Sequence, residues 1–391
     1  METACKGENP ALENTQTVDF EADPTELYRS GRGETPIGSC MRREGIVVGL
    51  RVVQWNTGIV GSAGVRAIAS HPGLELAGCY AWSEEKSGRD AGELAGVPAM
   101  GVTATRDVEA LLSLRPDCIL YTPQFPDVDH LVLMLEAGIN IVSTSYFITG
   151  RSYGEVDLAR LEDAARQGGA SLYGTGVNPG FANIFALLSS GVCQRVDRIA
   201  VLESVDSTNY GSAETWRACG LGRPVDDPEI ADLARTTTAV FQDAVEMMAC
   251  ALGVELDEIR YEVEFAAATE TVDLGYMTIE EGCGSGMRQC WSGIYDGDPL
   301  IELPIVWTLG DKMEPHWPTE DGYVIEIDGL PSVRSRIEIV HPGGGGGPDF
   351  GINTVMPAIH SIAAVCNAPP GIILAHELPL VAAQGVVRPR R

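Results

Sequence analysis

Between residues 51 and 190, short apolar runs alternate with segments in which apolar residues recur every three or four positions. The runs predict strands, and the periodic segments predict helices. Strand-like runs occupy residues 51–55, 74–81, 118–122, 139–144 and 170–173. Because strands and helices that alternate in this way are typical of doubly wound folds, we predict an α/β domain with a parallel sheet.

Beyond residue 195 the pattern changes to longer strands separated by turn residues. Strands are predicted over residues 198–204, 259–269, 286–295, 300–309, 323–328 and 334–341. The clearest hairpin turn between two of them is Asp296-Gly297-Asp298-Pro299. One long helix is predicted over residues 227–252, closed by Gly253. This half therefore predicts a second, α+β domain with a mainly antiparallel or mixed sheet.

The domain organisation follows from these two patterns. Residues 1–48 are polar and acidic, contain several prolines and predict a poorly ordered leader. We expect a dinucleotide-binding (Rossmann) domain over residues 49–178 and a substrate and oligomerisation domain over residues 179–355. A C-terminal helix and tail, residues 356–391, are expected to pack back on the first domain. The glycine run at 343–347 predicts a flexible loop.

Composition narrows the class of protein. The formal net charge is −28 and no basic stripe is visible, which argues against a nucleic-acid partner. No apolar run reaches the roughly 18 residues that a membrane span needs. The 10 cysteines form no C-x-x-C pair and the 6 histidines are dispersed, so we expect no metal site and a reducing, cytoplasmic location.

The turn after the first strand has the spacing of a dinucleotide-binding loop. Gly58 and Gly61 take the second and third glycine positions of G-x-G-x-x-G, and Asn56 replaces the first. Asparagine tolerates the left-handed backbone that such a turn requires. The predicted cofactor-binding residues here are Asn56, Thr57, Gly58, Ile59, Val60 and Gly61.

The end of the second strand bears on the choice of cofactor. NAD enzymes usually place an acid there to bind the ribose hydroxyls, but this chain has Trp82 and Ser83, followed by Lys86 and Arg89. Hydroxyl and cationic groups favour a 2′-phosphate, so we expect NADP(H) to be preferred, with NAD(H) as the alternative. Trp82 is a candidate to stack on adenine. In the competing interpretation, Lys86 and Arg89 are only solvated loop charges.

In parallel sheets the ligand lies beyond the carboxyl ends of the strands. The residues predicted at that edge are Thr122, Pro123, Gln124, Ser143, Thr144, Ser145 and Tyr146. The loop at residues 174–181 also reaches it, and we expect Asn178 and Pro179 to meet the cofactor and Asn178 to meet nicotinamide or substrate. A structural crossover between domains is the alternative interpretation of this loop.

Three stretches carry a family resemblance. Residues 88–96, 142–147 and 176–178 resemble loops of dihydrodipicolinate reductases, and the Gly-Thr-Gly-Val-Asn-Pro-Gly-Phe loop at 174–181 resembles the 2,4-diaminopentanoate dehydrogenase branch. The resemblance covers residues 51–380. It implies an NAD(P)-dependent oxidoreductase acting at a carbon–nitrogen bond, with a Rossmann domain and a mixed-sheet domain that closes over the nicotinamide.

The sequence departs from that family at two places. The reductase signature His-His with Lys-x-Asp-Ala-Pro-Ser-Gly-Thr-Ala is absent, so lysine-pathway reductase activity is not expected. Tyr146 and Phe147 stand where the diaminopentanoate branch usually carries acids. Three residues are candidates for catalysis: Tyr146 at the sheet edge, Asn178 in the 174–181 loop, and Glu203 at the end of the first strand of the second domain. An aromatic wall is the alternative role for Tyr146, and a solvated strand-end charge is the alternative for Glu203.

The leading hypothesis is an oxidoreductase that interconverts a small amine and its ketone or imine by hydride transfer. One alternative is an NADP-dependent reductase of a C=O or C=C bond in a larger apolar substrate, which aromatic cleft walls would suit. The other is a non-catalytic NADP-binding sensor. A small-molecule substrate and a homodimer or higher homo-oligomer are the expected partners, by analogy with the family.

Overall fold

The computed structural model describes residues 49–319, 322–341 and 350–387. The predicted leader (1–48) and the predicted glycine loop (343–347) lie outside these residues. The described chain contains two seven-stranded sheets and a separate two-stranded hairpin. The predicted boundaries between domains stay predictions.

The first sheet is parallel throughout, as predicted. Its strands are β1 (Leu50–Trp55), β2 (Leu74–Tyr80), β3 (Ala104–Thr105), β4 (Cys118–Tyr121), β5 (Asn140–Ser143), β6 (Ser171–Gly174) and β16 (Gly371–Ile373). Their order is β16-β6-β5-β4-β1-β2-β3. After β1, the chain adds β2 and β3 on one side of β1 and then adds β4 on the opposite side of β1. This reversal creates a crevice at the carboxyl ends of β1 and β4, the usual ligand position in such sheets.

Helices cover both faces of this sheet. They are α1 (Ile59–Ser70), α2 (Ala91–Leu94), α3 (Val108–Ser113), α4 (Val128–Glu136), α5 (Glu155–Gly168) and α10 (Phe350–Val365). On one face, Ala63 and Ile68 of α1 pack with Ile359 and Ile362 of α10. On the other face, a second cluster contains Leu131 and Leu161 among others. The C-terminal segment thus adds both a helix and a strand to the first sheet.

The second sheet is mainly antiparallel. Its strands are β7 (Arg195–Asp206), β8 (Glu258–Ala268), β11 (Gly284–Tyr295), β12 (Asp298–Thr308), β13 (Met313–Glu314), β14 (Gly322–Leu330) and β15 (Val333–Ile337), while β9 (Val272–Asp273) and β10 (Thr278–Ile279) form the separate hairpin. The order is β13-β8-β11-β12-β7-β14-β15, and β7 and β12 form the one parallel pair among the described strands of this second sheet. Asp296 and Gly297 have φ of 52° and 84° between β11 and β12, as a two-residue hairpin turn requires.

Four helices accompany the second sheet: α6 (Ala182–Ser190), α7 (Ala213–Ala218), α8 (Ile230–Thr237) and α9 (Val240–Leu252). Phe241 and Met248 of α9 pack with Ile301 of β12 and Ile325 of β14 in one buried cluster. This packing fixes which face of the sheet is internal.

The prediction of one long helix over residues 227–252 is wrong. The chain forms α8 and α9 instead, with Thr238 and Ala239 between them. Thr237 donates its hydroxyl to the carbonyl of Ala218, and Thr238 bonds both Ala234 O and the buried Gln289. Threonine hydroxyls that bond backbone and neighbouring groups compete with helix propagation. The closure at Gly253 is confirmed by its φ of 72°.

Candidate active site

The turn between β1 and α1 has the geometry expected of a dinucleotide loop. Asn56 has φ of 74°, the left-handed conformation for which asparagine is suited. A Cβ on Gly61 would stand 2.2 Å from the carbonyl oxygen of Asn56, so only glycine permits this close approach. A Cβ on Gly58 would meet nothing within 4 Å. The turn is therefore tight at Gly61 and open at Gly58.

Unpaired polar groups at this turn fit a nicotinamide dinucleotide. Oδ1 of Asn56 and Oγ1 of Thr57 are buried and have no hydrogen-bond partner within the described chain. The N-terminus of α1 has no side-chain cap and no acidic residue in its first turn. Such a helix end favours an anion because its first N–H groups are free and its dipole is positive there. The residues present thus suit a pyrophosphate.

The residues after β2 lie where the sequence places the adenosine end of the cofactor. Trp82 is 74% exposed, so it is no core tryptophan. The ammonium of Lys86 donates to the carbonyl oxygen of Thr57 at 2.9 Å, and Ser83 is half-buried in the same loop. Lys86 is thus tied to the dinucleotide turn and is more than a solvated loop charge.

A cavity of about 1020 Å³ opens between the carboxyl edge of the first sheet and the inner face of the second. The predicted site residues that line it are Gly58, Ile59, Val60, Thr122, Pro123, Gln124, Thr144, Tyr146, Asn178, Pro179 and Glu203. Those outside its lining are Asn56, Thr57, Gly61, Trp82, Ser83, Lys86, Ser143 and Ser145. Ser143 is fully buried, and its hydroxyl accepts the N–H of Ser145. Among the described lining residues there is no lysine and no arginine.

Glu203 contributes a buried carboxylate to the cavity lining. Its Oε2 accepts a hydrogen bond from Nδ2 of Asn178 at 2.6 Å, and its Oε1 accepts one from Nε1 of Trp307 at 3.1 Å. The side chain is only 8% exposed, and no cation pairs with it in the described parts of the chain. Burial raises the pKa of Glu203 above its usual range, and the two hydrogen bonds partly oppose this. A raised pKa suits a group that exchanges protons near neutral pH.

Tyr146 also lines the cavity, in a different electrostatic environment. Burial is the largest cause that raises the pKa of Tyr146 far above its usual range, and a hydrogen bond with Gln124 opposes it. A tyrosine that moves a proton near neutral pH needs a lowered pKa, whereas the pKa of Tyr146 is raised. Its ring packs 5.7 Å from that of Phe125, as part of an aromatic wall. Its catalytic role stays a prediction.

A buried carboxylate from the second sheet's helix layer holds the loop that follows Tyr146. Asp243 of α9 accepts the backbone N–H groups of Thr149, Gly150 and Ser152 at 3.1, 2.8 and 2.8 Å. Tyr153 then donates its hydroxyl to the carbonyl oxygen of Tyr146 at 2.8 Å. The cavity wall at Tyr146 is therefore anchored to α9.

Sequence reasoning missed several residues of this site. Trp307 and Tyr323 line the cavity from β12 and β14, and Asp243 supports it from α9. The alternation of side chains along each predicted strand assigns Trp307 and Tyr323 to one face of their strands. It could not show whether that face is the one with Glu203, because this depends on pairing between strands far apart in sequence. Neither a metal-binding group of side chains nor a helix able to cross a membrane occurs in the described ranges.

Comparisons with known proteins agree with this geometry. The family model of the 2,4-diaminopentanoate dehydrogenase C-terminal domain matches residues 182–388. An amine dehydrogenase of Streptomyces virginiae is 31% identical over 353 residues, 86% of this chain and 98% of that protein. The 2,4-diaminopentanoate dehydrogenase of Acetoanaerobium sticklandii is 24% identical over 258 residues, 64% of this chain and 70% of the relative.

A solved structure has the same fold. The amine dehydrogenase of Mycobacterium smegmatis superposes with a TM-score of 0.73 at 22% identity, covering 86% of this chain and 98% of the other. Fold, turn and relatives define an NAD(P)-dependent dehydrogenase. The chain belongs to the family of the 2,4-diaminopentanoate and amine dehydrogenases. The resemblance found from the sequence is confirmed.

Proposed function

We propose that this protein interconverts a small amine and its ketone or imine, with NADP(H) as the preferred cofactor. The observation that carries the proposal is the buried carboxylate of Glu203, which faces the cavity with only neutral hydrogen-bond donors around it. Such a group attracts an ammonium ion, because the carboxylate lacks a protein cation in the described chain. The relatives named amine dehydrogenase support the same chemistry.

In the amination direction, Glu203 takes up one proton and later returns it. The carboxylate takes a proton from ammonium, and the ammonia that results adds to the carbonyl carbon. A proton of the added nitrogen moves to the former carbonyl oxygen, which gives a neutral adduct with an amino group and a hydroxyl. The carboxyl group then returns the proton to the hydroxyl of the adduct, which leaves as water and gives the iminium ion. Asn178 and Trp307 hold the carboxyl group during both transfers. When bound, the nicotinamide supplies the hydride that reduces the iminium carbon.

Substitution of the carboxylate tests this role. We expect Glu203→Gln to lower kcat for ammonium-dependent NADPH oxidation by at least about 100-fold, because general acid–base catalysis contributes 10²–10⁴-fold. NADPH affinity should not change. Glu264→Gln is the matched control, since Glu264 lies on β8 and pairs with Arg288 at the surface. Turnover by Glu203→Gln at the wild-type rate would contradict the proposal.

Tyr146 is the competing proton donor. If it moved the proton, Tyr146→Phe would cost about 100-fold in kcat. Our assignment to Glu203 predicts a much smaller loss for Tyr146→Phe than for Glu203→Gln, measured in the same assay. The reverse ranking would transfer the role to Tyr146.

The NADP preference rests on Ser83 and Lys86. Lys86→Ala should weaken NADPH binding more than NADH binding, because only NADPH carries a 2′-phosphate. A fluorescence titration with each cofactor measures the two dissociation constants, and we expect their ratio to shift by about tenfold toward NADH, one lost charge-assisted hydrogen bond. If NADPH and NADH binding weakened equally, Lys86 would have only its hydrogen bond to the Thr57 carbonyl oxygen and no role in recognising the 2′-phosphate.

The predicted homo-oligomer and cytoplasmic location belong to this proposal as well. Analogy with related two-sheet enzymes supports a symmetric dimer. Sedimentation equilibrium of the full chain tests the dimer, and a monomer at micromolar concentration would contradict it.

A further inference from the structure

Tyr323 stands beside Glu203 on the floor of the cavity. It lies on β14 and pairs directly with Glu203 of the antiparallel neighbour β7. Residues paired in this way project from the same face, with Cβ atoms about 4.5–5.5 Å apart. Both side chains line the cavity. A phenol and a carboxyl group therefore reach the same space from adjacent strands.

The hydroxyl of Tyr323 is not used in the hydrogen bonding of the described chain. The residue is 6% exposed, yet its hydroxyl takes part in no hydrogen bond with the residues that the structure describes. Two other tyrosines use their hydroxyls within the protein: Tyr121 accepts the N–H of Asp127, and Tyr261 donates to Gln289. Because Tyr323 lines the cavity, its hydroxyl is available to donate to a molecule bound there. Its pairing with Glu203 across the two strands indicates that this molecule is the one that Glu203 meets.

The environment of Tyr323 keeps its hydroxyl protonated and therefore able to donate a hydrogen bond. Burial raises the pKa of Tyr323 well above its usual range, and the neighbouring Glu203 carboxylate raises it further. The phenol therefore keeps its proton throughout the range in which enzymes work. A group of this kind polarises a carbonyl oxygen without taking part in proton transfer.

We propose that Tyr323 is a substrate-contacting catalytic residue that donates a hydrogen bond to the oxygen of the ketone, while Glu203 beside it moves the proton. Negative charge grows on that oxygen as ammonia adds to the carbonyl carbon. A fixed donor aimed at this charge lowers the barrier more than it strengthens ground-state binding. No bond to the Tyr323 proton breaks. The proposal rests on the proposed amine–ketone function.

The first test is Tyr323→Phe, which removes only the hydroxyl. Loss of one such donor typically lowers kcat by 10²–10³-fold, so we expect a decrease of about 100-fold in ammonium-dependent NADPH oxidation. NADPH affinity and thermal stability should remain at wild-type values. Tyr295→Phe is the matched control, because Tyr295 is exposed at the end of β11. Wild-type kcat in Tyr323→Phe would overturn the proposal.

The second test does not depend on turnover. The cyclic amide 2-piperidone carries a hydrogen-bond-accepting oxygen that cannot be aminated under these conditions, and its binding can be followed by quenching of Trp307 and Trp216, which line the cavity. We expect wild type and Tyr295→Phe to bind it equally and Tyr323→Phe to bind it about tenfold more weakly, the worth of one hydrogen bond. Equal binding by all three proteins, or no binding by the wild type, would overturn the contact.

The two tests separate the proposals. If the wild type consumes NADPH with ketones without needing ammonium, the amine function fails, while a loss of amide affinity in Tyr323→Phe still supports the oxygen contact. If the wild type aminates ketones and Tyr323→Phe does so equally well, the function stands and the role of Tyr323 fails.

Discussion

The two glycines of the dinucleotide turn should respond to alanine in opposite ways. At Gly61 the new methyl would stand 2.2 Å from the Asn56 oxygen and 2.8 Å from both the Asn56 carbonyl carbon and Oγ1 of Thr122. Two of these atoms are backbone, so the turn or α1 must move by about 1 Å to restore van der Waals contact. Overpacking of this kind costs about 1–3 kcal/mol, and Tm should fall by roughly 3–10 °C.

At Gly58 the methyl meets no protein atom within 4 Å, and the backbone φ of −77° suits alanine. Gly58→Ala should therefore keep its Tm within about 2 °C, since surface changes are worth about 0.5 kcal/mol. The methyl enters the space in front of the α1 N-terminus where we place the pyrophosphate. We expect NADPH to bind at least about tenfold more weakly, because the loss of one hydrogen bond weakens binding by about that factor.

Scanning calorimetry and a fluorescence titration with NADPH measure both variants. The account requires Gly61→Ala to lose stability and Gly58→Ala to lose affinity while remaining stable. Wild-type NADPH affinity in Gly58→Ala would refute the position of the cofactor. An unchanged Tm in Gly61→Ala would refute the packing of the turn against α1.

Two further predictions concern stability. Asp243→Ala should leave three backbone N–H groups without an acceptor, which should lower the free energy of unfolding by about 3–5 kcal/mol and Tm by roughly 10 °C. Asp257→Ala, which loses one exposed hydrogen bond from the Gly297 N–H, is the control. Equal Tm values for the two variants would contradict the anchoring role of Asp243. The pKa of Glu203 is raised in the folded state, so wild-type stability should fall as pH rises from about 4 through that folded pKa. The Tm of Glu203→Gln relative to wild type should therefore increase over this window, and a constant difference would show an unshifted carboxyl group.

The first sheet was predictable because its signals are local. Each strand is a short apolar run, each helix has its own periodicity, and Gly58, Gly61 and Asn56 mark the turn within six residues. Parallel order then places the strand ends at one edge. The Asp296–Gly297 hairpin was predictable for the same reason, since its backbone demand is met by its own two residues.

The second half of the site depends on contacts between distant segments. The break at Thr238 arises from its bonds to Ala234 and Gln289, and the latter lies on β11. Helix α7 escaped prediction because it has only six residues and its cap is the single Ser212. Tyr323 meets Glu203 through a register between strands more than 100 residues apart. The raised pKa of Tyr146 likewise comes from burial, which periodicity does not reveal.

Product analysis of the wild-type protein tests the central claim most directly. The protein would be supplied with NADPH and a panel of four- to eight-carbon ketones, with and without ammonium, and the products separated by mass spectrometry. The account predicts one amine formed for each NADPH oxidised, with no consumption of NADPH when ammonium is left out. Formation of the alcohol without ammonium, or no turnover with any ketone, would contradict it.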